Sequence, residues 1–365
     1  MNDSVKIKLL VLTPTMQCGG SEKFVSLVCN HIDTNRFEVC LLVINNARPF
    51  YTCTNPDVQV IDLQKSRVLF SLAAIRSVVK SFKPDIIFST ANHLNLYLAI
   101  FRNTFDARIK FVAREASIVS ISTRHAKMPA LYNRLIKKYY HRFDEIICQS
   151  RYMQQDLVTN YHIAMDKTRV IHNAVEAFTI PEPAPVAPGN DRVYTFITVA
   201  RLSVEKGIER LVHAVGLLTT NYKLYVIGEG DKRPALQQLI DELQLNDKVL
   251  LVGERSRPFA GMENADLFLF GSYYDGFPNV LLEAGAHGIP VVAFNVPGGI
   301  AEIVTPENGI LVEDNDIIAF ARAVKEALET NFNREAIIAT TKKRFALSRT
   351  MSEIENLFLE PRGNK

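Results

Sequence analysis
Residues 272–286 read SYYDGFPNVLLEAGA, and the apolar run ADLFLF at 265–270 leads straight into them. The run has the length and apolar density of a buried strand. Gly276, Pro278 and Asn279 end that pattern and open a helix over 279–287, stopped by Gly288. Asp275 therefore lies on the loop and Glu283 about one turn inside the helix. Between them sit backbone amides at the positive end of a helix dipole, an arrangement that favours an anion. Two acids beside an anion-binding helix tip suit a ligand that carries both phosphate and several hydroxyls.

Outward from this corner the same alternation recurs. Before it, strands are expected at 193–199, 223–227 and 249–252, with helices at 205–218, 234–243 and 258–264. After it come a strand at 290–294, a Pro297-Gly298-Gly299 turn, and two or three helices from about Asp316. The first half repeats the scheme, with strands at 7–12, 38–44, 58–63, 84–89, 109–113, 143–148 and 169–171. Helices are expected there from Ser21 to about His31, at 68–81, 93–101 and 128–141, and from about Arg151. Strands alternating with helices predict right-handed βαβ units and parallel sheets covered on both faces.

The 365 residues exceed one ordinary core. Residues 181–190, PEPAPVAPGN, hold four prolines and no hydrophobic period, as a linker does. The expected domains are 1–180, a linker at 181–192, 193–345, and a C-terminal helix within 346–365. The fold class is α/β, two doubly wound Rossmann-like domains facing across a cleft, with ligand at the C-terminal strand ends.

Composition narrows the function. Net charge is +3, but residues 1–180 carry 23 Lys+Arg against 14 Asp+Glu, and residues 181–365 carry 19 against 25. A basic first half suits an anionic surface. The five scattered cysteines read as free thiols of a reducing compartment. No apolar run approaches the length of a membrane span, and the N-terminal run is too short for a signal peptide. A cytoplasmic protein, peripheral on the inner membrane surface, is expected.

Several residues beyond the corner are candidates. Arg201 follows a strand and Lys206 precedes Gly207, so the two cations can neutralise a diphosphate. Gly19 and Gly20 form a βα loop through which a phosphate could approach the backbone. His93, Arg114 and Glu115 each end a strand of the first domain. Residues 124–142, RHAKMPALYNRLIKKYYHR, run from Arg124 to Arg142 with six Lys/Arg, two His and no acid. Leu131, Leu135, Ile136, Tyr139 and Tyr140 interleave at helical spacing, the pattern of a basic amphipathic helix at a membrane surface. The plainer alternative is a solvated face over a core helix. No nucleic-acid motif accompanies it.

GGSEK, VARLSVEKG, VIGEGDKRPAL and above all DGFPNVLLEAGAHGIPVVAFNVPGGIAEIV resemble the family-4 glycosyltransferases, retaining enzymes of the GT-B fold. The resemblance spans nearly the whole chain. The family's two acids, with seven residues between them and usually both Glu, stand here as Asp275 and Glu283. The resemblance implies that Arg201, Lys206, Asp275 and Glu283 carry catalysis. Glu283 would hold the ribose, and Asp275 with the Gly276 and Phe277 amides the donor sugar. Pro278 and Asn279 shape the tip, and amides near Val280 and Leu281, with Gly20, would hold the diphosphate. Gly253, Glu254 and Arg255 would contact the base. His93, Arg114 and Glu115 are acceptor or sugar candidates. Neither metal nor cofactor is implied, only a nucleotide-sugar co-substrate, UDP-linked by expectation. A lipid-linked, lipopolysaccharide or capsule glycan is the expected acceptor. Other readings are a GT-B nucleotide-sugar epimerase, a phosphorylase, or a non-catalytic two-domain sugar-binding protein. The last needs an export signal and leaves Arg201 and Lys206 without a task.

Overall fold
The computed structural model describes residues 6–175 and 192–362, and the expected linker lies almost wholly outside them. The chain divides into one unit of Met1–Asn173 with Ser348–Lys365 and a second of Ala174–Leu347. This division falls slightly before the proline-rich stretch.

The first unit holds strands β1 (Ile7–Thr13), β2 (Phe37–Val43), β3 (Val58–Asp62), β4 (Ile86–Thr90), β5 (Lys110–Arg114), β6 (Glu145–Cys148) and β7 (Thr168–Val170). They form one sheet in the order β3-β2-β1-β4-β5-β6-β7, every pairing parallel. The central strands are buried on both faces, which is why they read as unbroken apolar runs. The final helix, Leu347–Leu359, closes this unit. Phe358 meets the Phe37 and Phe88 rings edge-on, at centroid distances of 6.1 and 5.5 Å. The buried Lys110 ammonium donates to the Leu357 and Glu360 carbonyls at 2.6 and 2.9 Å, satisfying acceptors at that helix's end.

The second unit holds β8 (Tyr194–Val199), β9 (Tyr222–Ile227), β10 (Val249–Gly253), β11 (Leu267–Phe270), β12 (Val291–Asn295) and β13 (Gly309–Glu313). Their order is β10-β9-β8-β11-β12-β13, again parallel throughout. Both sheets reverse direction of winding at a switch point, between β1 and β4 and between β8 and β11. At such a point adjacent strands send their following loops to opposite sides and open a crevice.

Several elements differ from expectation, among them short helices at Val119–Arg124 and Ile300–Ile303 that the sequence reading lacks. β13 is an additional strand, GILVE, with a glycine at its start, an acid at its end and only three apolar residues between them. Residues 258–264 form turns and not a helix, with Gly261 at φ +77. The helix expected at 68–81 begins at Leu72, after a 3₁₀ turn at Val68–Phe70. The helix expected at 205–218 is divided by Gly207 into a 3₁₀ turn at Val204–Lys206 and a helix at Ile208–Gly216.

Candidate active site
The β8/β11 switch point decides what meets in the second unit. The loop after β8 carries Arg201, Ser203, Glu205 and Lys206, and the loop after β11 carries Tyr273, Tyr274 and Asp275. Lys206 Nζ lies 2.7 Å from Asp275 Oδ2, both side chains about four-fifths buried. The backbones are tied as well, with the Tyr273 amide donating to the Glu205 carbonyl at 2.9 Å. Gly207 permits this approach. Its φ is +55, and a Cβ there would stand 2.1 Å from the Gly271 carbonyl oxygen.

Asp275 is held from its other side by the turn after β12. Its amide donates to the Pro297 carbonyl at 3.1 Å, and its own carbonyl accepts from the Gly299 amide at 3.3 Å. Gly298 has φ +136, and a Cβ would stand 1.6 Å from the Asp275 carbonyl oxygen. The PGG turn thus works as a backbone clamp on the acid.

Sequence reasoning missed Arg210, which fastens the β11 loop from beneath. It is buried, donating from Nε to the Gly271 carbonyl at 2.6 Å and also to the Ser272 carbonyl. Its Nη1 is 2.7 Å from Asp314 Oδ1, and its plane lies over the Tyr273 and Phe294 rings. The only sequence signal was an arginine beside Ile208 and Leu211 on an apolar helix face. Asp314 belongs to the chain's Asp-x-Asp, Asp314-Asn315-Asp316. That sequence is occupied structurally, since Asp316 caps helix Ile317–Glu329 by accepting from the Ala319 amide at 2.8 Å.

Arg201 is the most open member of the group, its side chain 71% exposed, and lies 3.5 Å from Glu205. Burial pushes the Glu205 carboxyl up. The Ser203 hydroxyl, its own amide, and the Arg201 and Lys206 charges outweigh that and hold it below the usual range. The loops after β8, β9 and β10 are laced together. Leu202 N donates to the Glu229 carbonyl at 2.9 Å, and Gly228 N to the Gly253 carbonyl at 2.9 Å. This sets the exposed Glu254 and Arg255 on the same edge as Arg201.

The helix at the corner runs Asn279–Ala286, with Pro278 as its N-cap residue and not its first turn. Gly276, Phe277 and Pro278 are buried, and Asn279, Val280 and Glu283 are partly so. The Leu281 amide donates to the Pro278 carbonyl at 3.1 Å and its side chain is in the core. Leu281 is thus already engaged, and the helix tip presents Asn279 and Val280.

In the first unit the expected candidates separate. Gly19 is extended, at φ −177, and the Glu22 carboxylate lies where a Cβ on Gly19 would project, 2.4 Å away. An acid therefore already stands at the Gly19–Gly20 helix start, bonded by the Thr15 hydroxyl at 3.0 Å. His93 is exposed at the start of helix Asn92–Phe101. The chain packed around its ring lowers its pKa, with Glu22 opposing.

Arg114 and Glu115 do not face a ligand as expected, because both are fully buried. Arg114 stacks on Phe24 at 3.7 Å and donates to Asn173 Oδ1 at 2.5 Å. Asn95 donates to Glu115 Oε1 at 2.9 Å, and burial pushes the Glu115 carboxyl up to about 7. They form a buried network that reaches Asn173, where the chain leaves the first unit for the second.

In residues 124–142 the helix is Pro129–Tyr139. Ile136 and Tyr140 face the core, while Lys127, Met128, Leu131, Arg134, Lys137 and Lys138 are exposed. Arg142 turns inward instead, donating to the Ala99 and Ile100 carbonyls at 3.3 and 3.0 Å. No helix among the described residues is long and apolar enough to cross a membrane.

Two parallel α/β sheets, each with a switch point, define a GT-B-type fold, and the second carries a lysine–carboxylate pair beside a helix tip. The model for "Glycosyltransferase Family 4" matches residues 18–177, and that for "Glycosyl transferases group 1" matches residues 184–344. The chain belongs to the family-4 glycosyltransferases, as the resemblance implied.

Among curated relatives is the N-acetylgalactosamine-N,N'-diacetylbacillosaminyl-diphospho-undecaprenol 4-alpha-N-acetylgalactosaminyltransferase of Campylobacter jejuni. It is 28% identical over 92% of this chain and 94% of its own. The lipopolysaccharide 1,6-galactosyltransferase of Escherichia coli is 25% identical over 80% and 78%. Among solved structures, the lipopolysaccharide outer core galactosyltransferase WaaB superposes with TM-score 0.76 at 20% identity, covering 96% of this chain and 99% of that one. Anabaena Alr3699/HepE in complex with UDP superposes with TM-score 0.75 at 20% identity, covering 97% and 99%.

Proposed function
We propose that this glycosyltransferase moves a hexose or N-acetylhexosamine from a UDP-sugar to a lipid-linked, lipopolysaccharide or capsule glycan, with retention and without a metal. The observation that carries the reading is the Lys206–Asp275 pair, clamped at a switch point next to the Asn279 helix tip. In the resting protein Asp275 holds the ammonium in place. In the donor complex Lys206 and Arg201 neutralise the diphosphate, Asp275 takes sugar hydroxyls, and Glu283 takes the ribose. As the glycosidic bond breaks, negative charge grows on the leaving phosphate beside two cations and a helix dipole, where stabilisation counts most. The leaving phosphate accepts the acceptor's proton on the face it departs from. Relatives acting on a diphospho-undecaprenol glycan and on lipopolysaccharide, and neighbours solved with UDP, support donor and acceptor class.

The basic outer face of Pro129–Tyr139 supports a peripheral position on an anionic membrane, through Lys137, Lys138 and Arg134. Nothing in the sequence or fold calls for nucleic acid.

A thermal-shift panel of UDP, GDP, ADP and their sugars tests the donor. Stabilisation by UDP and a UDP-sugar is expected, following ligand linkage. Equal, negligible shifts for all of them would remove the reading. Flotation with anionic vesicles tests the surface, and wild-type binding by a variant with Lys137, Lys138 and Arg134 neutralised would dismiss it.

A further inference from the structure
A cavity of about 510 Å³ opens in the first unit at the C-terminal ends of β1 and β2. Ile44 and Tyr97 line it, His93 stands on one wall, and the segment 65–69 forms the other. That segment is chemically two-sided. Lys65 and Arg67 are exposed cations, and among the described residues neither belongs to an ion pair. The acid nearest in sequence, Asp62, is occupied, with Oδ1 accepting from the Asn46 and Gln64 amides at 3.2 and 2.9 Å. Glu22 lies toward His93 and is bonded by Thr15.

Directly after the cations come Leu69 and Phe70, 66% and 62% exposed. The backbone holding them outward is pinned. Lys65 N donates to the Ile44 carbonyl at 2.8 Å, Phe70 N to the Arg67 carbonyl at 3.1 Å, and the Tyr97 hydroxyl to the Leu69 carbonyl at 3.0 Å. The Ser71 hydroxyl closes the turn onto the Val68 carbonyl at 2.6 Å. Two adjacent large apolar side chains fixed in water beside a cavity mark a contact surface and not a loose loop. Two non-glycine residues with left-handed backbone, Gln64 (φ 52) and Ala91 (φ 75), flank the same place, as strained positions do at binding sites.

We propose that this cavity is the site for the carrier end of the acceptor, a lipid-borne phosphate or diphosphate gripped by Lys65 and Arg67, with its first lipid carbons on Leu69 and Phe70 and its sugar toward His93. The assignment rests on the glycosyltransferase reading above and deepens it. Charge and apolar surface occur here side by side in the order that an amphiphilic phosphate presents them. An inorganic anion has no use for Leu69 and Phe70, and a free sugar none for the two cations.

The test uses the whole chain with saturating UDP present, so that a diphosphate probe cannot report from a nucleotide site. Binding of geranyl diphosphate, inorganic pyrophosphate and geraniol is measured by calorimetry. Geranyl diphosphate is expected to bind more tightly than either fragment. The double variant Lys65→Glu/Arg67→Glu should weaken it by roughly tenfold or more, as expected when two charge-assisted hydrogen bonds are removed. The double variant Leu69→Ser/Phe70→Ser should weaken geranyl diphosphate and leave pyrophosphate unchanged. The UDP affinity of both variants should match the wild type. Wild-type geranyl diphosphate binding by both double variants would overturn the proposal. Pyrophosphate binding as tight as that of geranyl diphosphate would overturn its lipid part. Absence of UDP binding by the wild type would instead strike the donor reading, so the two failures are separable.

Discussion

Lys206 Nζ and Asp275 Oδ2 lie 2.7 Å apart, although 69 positions separate them in the chain. They meet because β8 and β11 are neighbours at the switch point of the second sheet. A partly exposed pair like this contributes about 1 kcal/mol or less to folding. Lys206→Met should therefore leave Tm nearly unchanged while lowering transfer by about a hundredfold, the scale of removing one charge that stabilises the transition state. Asp275→Asn should lower transfer comparably while UDP binding is kept or tightened, because the ammonium is released from its resting partner. Steady-state kinetics and UDP titration check both. Full activity in the lysine variant would refute the role.

Glu283 is partly exposed one turn into helix Asn279–Ala286. Glu283→Ala should raise the donor KM and reduce kcat/KM by about a hundredfold, while Glu283→Gln should recover part of the loss. Deleting a hydrogen-bond acceptor has this signature when the ligand's hydroxyls are left buried and unpaired. An unchanged donor KM would remove Glu283 from the donor.

Arg210 satisfies two buried carbonyls and one acid at once. Arg210→Met should destabilise the second unit by about 3 kcal/mol, the scale of breaking a buried charged pair. Arg210→Lys should not restore it, because an ammonium lacks the planar fork. Denaturant melts check this. A variant with wild-type stability would show that the β11 loop holds itself.

Glu115 gives a pH dependence with a definite sign. Burial raises its carboxyl from 4.5 to about 7, with the Asn95 hydrogen bond and Arg114 opposing. The folded state therefore holds a proton that the unfolded chain releases between those values. Its contribution is complete below about pH 4.5 and is lost as pH rises toward 7. Compared with Glu115→Gln, the wild type should lose up to about 3 kcal/mol across that window. Parallel Tm-against-pH curves for the two proteins would disprove it.

Much of this architecture was legible because parallel strands buried on both faces leave apolar runs, and the strand–loop–helix corner at Asp275 and Glu283 carries its own punctuation. What could not be read was pairing across distance. Nothing local tells Arg114 and Glu115, at a strand's end, that Phe24, Asn95 and Asn173 will enclose them. Nothing local tells Arg142 that it will turn onto the carbonyls of a neighbouring helix. Gly207 was visible as a glycine, but its splitting of a helix follows from the Gly271 carbonyl, far along the chain. Burial is a property of the assembled sheet, so strand-end polar residues are where single-sequence reading fails.

The last helix has a consequence for how the chain is born. Phe358 fills a place against Phe37 and Phe88, and Lys110 waits for the Leu357 and Glu360 carbonyls. On the ribosome, residues 6–173 emerge well before their closing piece at 347–359, and residues 174–347 can mature in between. The earlier unit is thus completed after the one that follows it, and a stop near codon 346 would leave it with an open apolar seam for chaperones to guard.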